Sequence, residues 1–97
     1  MITITTNKWV ATEKCIVTGR DAEYHHIHTR KARPDLSEKT WNKIPVSREI
    51  HSSFHAKGTA FMANKYPPIK YWLIQNGWRY DSFVKKWTHE GARNGNV

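Results

Sequence analysis

A chain of 97 residues and 11.4 kDa has room for one domain and one modest core, and none of its apolar runs approaches the ~20 residues of a membrane span. Hydrophobic residues make up only 38%, but five Trp, four Tyr and three Phe bury large areas and exclude a wholly disordered chain. Sixteen Lys and Arg against eight Asp and Glu give a net charge of +8 and a pI near 9.9, a balance that attracts polyanions such as nucleic acid, with simple solubility as the plainer reading.

Residues 1–13 alternate Ile and Thr before turning polar, which predicts a short edge strand or an arm. They lack the basic-then-apolar layout of a secretion signal, so a cytoplasmic protein is expected. Residues 14–18 predict a strand, Gly19-Arg20-Asp21 a turn, and 22–27 the return strand of a hairpin. Cys15 is the sole cysteine, which excludes an internal disulfide. Residues 29–41 lose the alternation and carry Arg30, Lys31 and Arg33 ahead of Pro34, the composition of a surface loop. Residues 42–46 predict a short strand that Pro45 confines to a sheet edge.

Ser47 is positioned to cap a helix running to about Lys57, with Gly58 as its stop. Ile50 and Phe54 would face the core, and His51 and His55 would form the neighbouring stripe. A second helix is expected over 59–65. A third starts near Pro68, packs Ile69, Trp72 and Leu73 inward, and ends at Asn76-Gly77. Residues 78–89 suggest a small hairpin, or a strand with a covering turn, and the last eight residues a frayed tail. Trp41 joins Trp72 in the expected core, and His89 stands alone with no role.

Five of the six histidines fall in two groups: His25, His26 and His28, then His51 and His55. A His-x3-His pair on a helix can be mere surface polarity, but the same spacing lets both imidazoles share an ion. A third imidazole from a nearby strand would complete three nitrogen ligands and leave positions open for water or phosphate. Neighbouring side chains on a strand diverge, so only one of His25 and His26 would reach that ion. The other would sit beside it, with a pKa suited to taking a proton from water.

The order Tyr24-His25-His26-Ile27, Trp41-Asn42-Lys43-Ile44-Pro45 and Arg48-Glu49-Ile50-His51-x3-His55 resembles the His-Asn-His (HNH) endonucleases, most closely the small forms of phages and other mobile elements. The resemblance covers about residues 15–55, and the stretch from Lys65 to Trp78 is similar to the tail of the phage forms. It implies an α+β fold: a ββα-metal core over 14–58, C-terminal helices and hairpin over 59–89, one domain spanning 1–97. It also implies His25, His51 and His55 as ligands of one divalent ion (Mg, Mn, Ni, Co or Zn), His26 as general base and Asn42 as the brace of the base strand. The implied substrate is DNA, in the cytoplasm of a bacterial host, with no membrane involved. Arg30, Lys31 and Arg33 are candidate phosphate contacts, or a solvated basic loop. Glu23 could orient a ligand, pair with Arg20, or be a surface carboxylate.

Two departures from the family pattern stand out. Many relatives hold a structural zinc at positions that here correspond to Cys15, Thr18, Ser47 and Ile50, a set that cannot build a tetrahedral zinc site. His28 replaces a Lys or other polar residue and is expected to be an ordinary strand-end residue. Two further readings follow: a non-catalytic DNA-binding module stabilised by the same metal, and a phage accessory nuclease active only with a larger packaging or recombination partner.

Overall fold

Alternation along the first strands builds a small sheet whose central member carries the paired histidines. In the computed structural model, which describes residues 10–94, β1 (Val10–Lys14), β2 (Asp21–His26) and β3 (Lys43–Val46) form an antiparallel sheet in the order β1-β2-β3. β3 takes the edge position expected from Pro45, and its register sets Ile44 opposite His25 and Lys43 opposite His26. The arm expected at the N-terminus lies outside the described residues up to position 9, as does the tail beyond position 94.

The strand expected over 14–18 lies earlier. β1 ends at Lys14, and the chain turns at once, because the Cys15 thiol accepts the N–H groups of Val17 and Thr18 (3.4 and 3.3 Å). Such local bonds compete with a strand ladder for the same donors. Gly19 completes the turn at φ +74°, its N–H on the Cys15 carbonyl at 2.9 Å.

α1 (Arg48–Lys57) follows Ser47, which occupies the N-cap position but makes no capping bond with its side chain. The helix stops at Gly58, where φ is +88°. α2 (Thr59–Lys65) and α3 (Pro67–Gln75) follow directly, α3 beginning at a proline whose missing N–H costs nothing in a first turn. Ile44, Val46, Met62, Ile69, Leu73 and Trp78 are shut off from water and join the two sheets to the helices. Burial of side chains this size stabilises by roughly 1.5–3 kcal/mol each. Trp41 and Trp72 are half-buried and pack against this core.

Residues 78–89 form the hairpin expected there: β4 (Trp78–Asp81) pairs antiparallel with β5 (Lys86–His89). The loop after β2 contains two single helical turns, Pro34–Leu36 and Thr40–Asn42, anchored by buried Leu36 and Asn42. The frayed tail is corrected over Glu90–Asn94, a short helix α4, because Ala92 is buried and its carbonyl accepts Arg33 Nη1 at 2.9 Å. The architecture is α+β, with two small antiparallel sheets and several helices. No helix among the described residues is long and apolar enough to cross a membrane.

Candidate metal centre

Successive side chains of a strand face opposite sides, so Glu23 and His25 share one face of β2. His51 and His55 lie one helical turn apart on α1, beside the buried Ile50 and Phe54. The ring centroids of His25, His51 and His55 form a near-equilateral triangle with sides of 4.9, 5.1 and 4.9 Å. One nitrogen from each lies within 4.8 Å of the others, so these histidines could hold a metal ion.

His25 is only 5% exposed and lies almost flat on Phe54, 4.3 Å between centroids. Its Nδ1 is buried and has no hydrogen-bond partner. Burial first, then the neighbouring imidazoles of His51, His55 and His26, push its pKa down to about 3, so the ring is neutral and carries a lone pair at physiological pH. An unpaired buried polar atom costs about 1–3 kcal/mol. The chemistry of the donor set fits an ion too: neutral nitrogens suit Zn, Ni or Co, whereas Mg prefers oxygen.

His51 Nδ1 hydrogen-bonds Glu23 Oε2 at 2.8 Å, and the other Glu23 oxygen lies 3.7 Å from the Arg48 guanidinium. With Nδ1–H donating to the carboxylate, the lone pair of a neutral His51 sits on Nε2. Glu23 thus pairs with His51 and not with Arg20, which lies near Glu49 at 3.9 Å. His55 is exposed and opens the cluster to solvent.

His26 is 8% exposed and stands outside the trio. Its Nε2 lies 3.0 Å from the Ser37 carbonyl, which can only accept, so Nε2 carries the hydrogen and Nδ1 the lone pair. Burial lowers its pKa, Arg30 and Lys43 lower it further, and the Ser37 carbonyl opposes them, so the neutral form prevails at neutral pH. His26, Arg30 and Lys31 line the same cavity as the three clustered histidines, about 450 Å³ in volume.

Arg33 is not among the lining residues. Its guanidinium makes paired bonds to Asp35 (3.1 and 2.8 Å) besides the bond to Ala92, which ties the loop to α4. Asn42 is fully buried and holds the end of β2: Oδ1 accepts the His28 N–H at 2.8 Å, and Nδ2 donates to the carbonyls of His28 and Leu36 at 3.0 and 3.2 Å. Its own carbonyl takes the Ile27 N–H at 3.0 Å.

His28 is half-buried against Trp78 at 5.4 Å, and burial lowers its pKa, with Arg33 adding to the effect. The Ser37 carbonyl carried no sequence signal, because any residue supplies one. His89 is not isolated: it stacks on Trp41 at 3.8 Å. The signal available was glycine on either side of it, since a Cβ at Gly91 would come within 2.7 Å of the Trp41 ring and one at Gly77 within 2.9 Å of His89.

No protein-family model, curated protein or solved structure matches the chain, so the geometry carries the functional reading alone.

Proposed function

We propose that the protein is a metal-dependent DNA endonuclease or nickase, with β1, β2 and α1 as a ββα-metal core around one divalent ion. One observation carries this reading: a ring nitrogen of His25 converges with those of His51 and His55 in a cavity that His26, Arg30 and Lys31 also line. A purely structural ion site needs neither the extra imidazole nor the flanking cations.

When bound by the three histidines, a divalent ion supplies positive charge that stabilises the phosphorane-like transition state and the leaving oxygen. His26 Nδ1 takes a proton from a water as its oxygen attacks phosphorus in line. The new P–O bond forms as the P–O3′ bond breaks, leaving a 5′-phosphate and a 3′ oxygen that is protonated from solvent. The Ser37 carbonyl keeps the His26 ring in the tautomer this step needs and stabilises the imidazolium that results. Glu23 fixes the orientation of His51, Asn42 fixes the end of the base strand, and Arg30 and Lys31 grip phosphates beside the reacting one. The setting is bacterial cytoplasm, where the chain acts alone or with a larger phage protein.

The test is cleavage of supercoiled plasmid across Mg, Mn, Co, Ni and Zn, with chelator as control. His26→Ala should cut about 10²–10⁴-fold more slowly while still binding one ion per chain. Full activity in that variant, or no cleavage by wild type in any metal, would sink the proposal.

A further inference from the structure

The β4–β5 hairpin leaves its most apolar residue in water. Phe83, at the tip, is 94% exposed, and Val84 beside it is 49% exposed. The tip is nevertheless firmly built. The Asp81 carboxylate accepts the N–H groups of Phe83 and Val84 at 2.9 and 3.4 Å, and the Asp81 carbonyl accepts that of Lys85 at 2.7 Å. Lys85 closes the turn at φ +60°, a left-handed conformation uncommon for a residue other than glycine. The bonded turn thus holds a phenyl ring out in water, ahead of two consecutive lysines, Lys85 and Lys86.

Behind the tip, a groove of about 290 Å³ separates the hairpin from the C-terminal end of α1. Lys57, Lys85 and Lys86 line it together with Ile27, His28 and Trp87, and no lining residue is a carboxylate. Ile27 and His28 directly follow His26 in the chain, and Lys57 lies two residues beyond His55, although the groove shares no lining residue with the candidate metal centre. Clustered lysines beside an outward ring match the two surfaces of DNA: phosphates for the cations, base faces for the ring.

We propose that this hairpin is a second DNA contact, resting on the nuclease reading above, in which the three lysines hold the backbone and Phe83 wedges against a base step. Unstacking a base step costs less where pairing is already defective. The wedge therefore favours duplex that is locally weakened beside the cut, such as a mismatch.

The experiment uses the full chain carrying His26→Ala, so that DNA stays intact, with divalent metal and fluorescently labelled duplexes, fully paired or with one mismatch. Binding is read by anisotropy from about 50 to 200 mM salt. Lys85→Ala combined with Lys86→Ala should weaken binding about tenfold and lower the slope of log affinity against log salt by about 2. Phe83→Ala should lose about 5- to 100-fold in affinity, the range of one base–aromatic stack, and abolish the mismatch preference, while Phe83→Trp keeps it. Lys85, Lys86 and Phe83 are all exposed, so circular dichroism should show an unchanged fold. Unchanged affinity and slope in the lysine pair, or a mismatch preference that survives Phe83→Ala, overturns the proposal and leaves the tip to a protein surface. If Arg30→Ala with Lys31→Ala weakens binding while the hairpin variants do not, the nuclease reading stands and the hairpin proposal falls. If the parent binds no DNA, both fall.

Discussion

Around Trp41, His89 lies flat on the indole and both its ring nitrogens are taken: Nε2 by the Asn76 carbonyl at 2.8 Å, Nδ1 by the Gly91 N–H at 2.9 Å. Between β2 and α1, His25 lies nearly flat on Phe54, yet its buried Nδ1 meets no protein group. Stacking is alike in the two places, although His25 is buried and His89 only half-buried; hydrogen-bond satisfaction is not alike. A ring whose donor and acceptor are both spent on backbone has no lone pair for an ion, and this one packs against Trp41 and Trp78. A ring with an unspent nitrogen, close to two more imidazoles, could hold one.

Metal-induced stabilisation is the sharpest way to break that contrast. An ion that binds the folded chain alone raises stability by about 2.7 kcal/mol at a hundredfold excess over Kd, worth roughly 10–20 °C in Tm for a domain this small. Wild type should show such a rise in Zn or Ni, and His51→Ala should lose it. His89→Phe should start from a lower Tm, because the carbonyl of Asn76 and the N–H of Gly91 lose their partner, but keep the full rise. Thermal scans with and without metal check this; a rise that survives His51→Ala, or vanishes in His89→Phe, reverses the assignment of the two clusters.

A smaller effect tests the carboxylate behind His51. Groups that hydrogen-bond a ligand histidine typically matter 10- to 100-fold in metal affinity. Glu23→Gln keeps an acceptor near Nδ1 and should lie at the low end, Glu23→Ala at the high end. Competition titration against a chromogenic chelator measures both, and equal affinity in all three proteins would remove Glu23 from the centre.

Legibility of the sequence followed the range of the interaction involved. The i,i+4 histidines, the Gly58 stop and the edge placement of Pro45 are local geometry, and the structure puts His51, His55 and β3 where that geometry predicts. Alternation along β2 also anticipated that one of two adjacent histidines would join the trio and the other would not. What escaped notice depends on atoms distant in sequence or shared by every residue. The Ser37 carbonyl on His26, the Ala92 carbonyl that engages Arg33, and the Trp41 surface under His89 belong to that class. The misplaced first strand has a different cause: the β-branched residues after Cys15 favour a strand, but the thiol takes their N–H groups and wins.

That thiol extends the contrast between satisfied and unsatisfied lone pairs to sulfur. Burial, the largest single influence on Cys15, raises its pKa, but the Thr18 side chain and the N–H groups of Thr18, Val17 and Ser47 together outweigh it and bring the thiol from 9.0 down to about 7. Backbone donors thus occupy the place a cation would take, and the described residues near Cys15 offer no metal-binding group. A folded-state pKa below the unfolded value means that the thiolate favours the fold. The contribution is complete above about pH 9, shrinks as pH falls, and is gone below about pH 7. Its full size is on the order of 2 kcal/mol. Urea unfolding of wild type and Cys15→Ala at several pH values between these limits should therefore diverge, wild type gaining stability relative to the variant as pH rises. Parallel profiles would mean that the thiol stays protonated and that the turn rests on its backbone bonds and Gly19 alone.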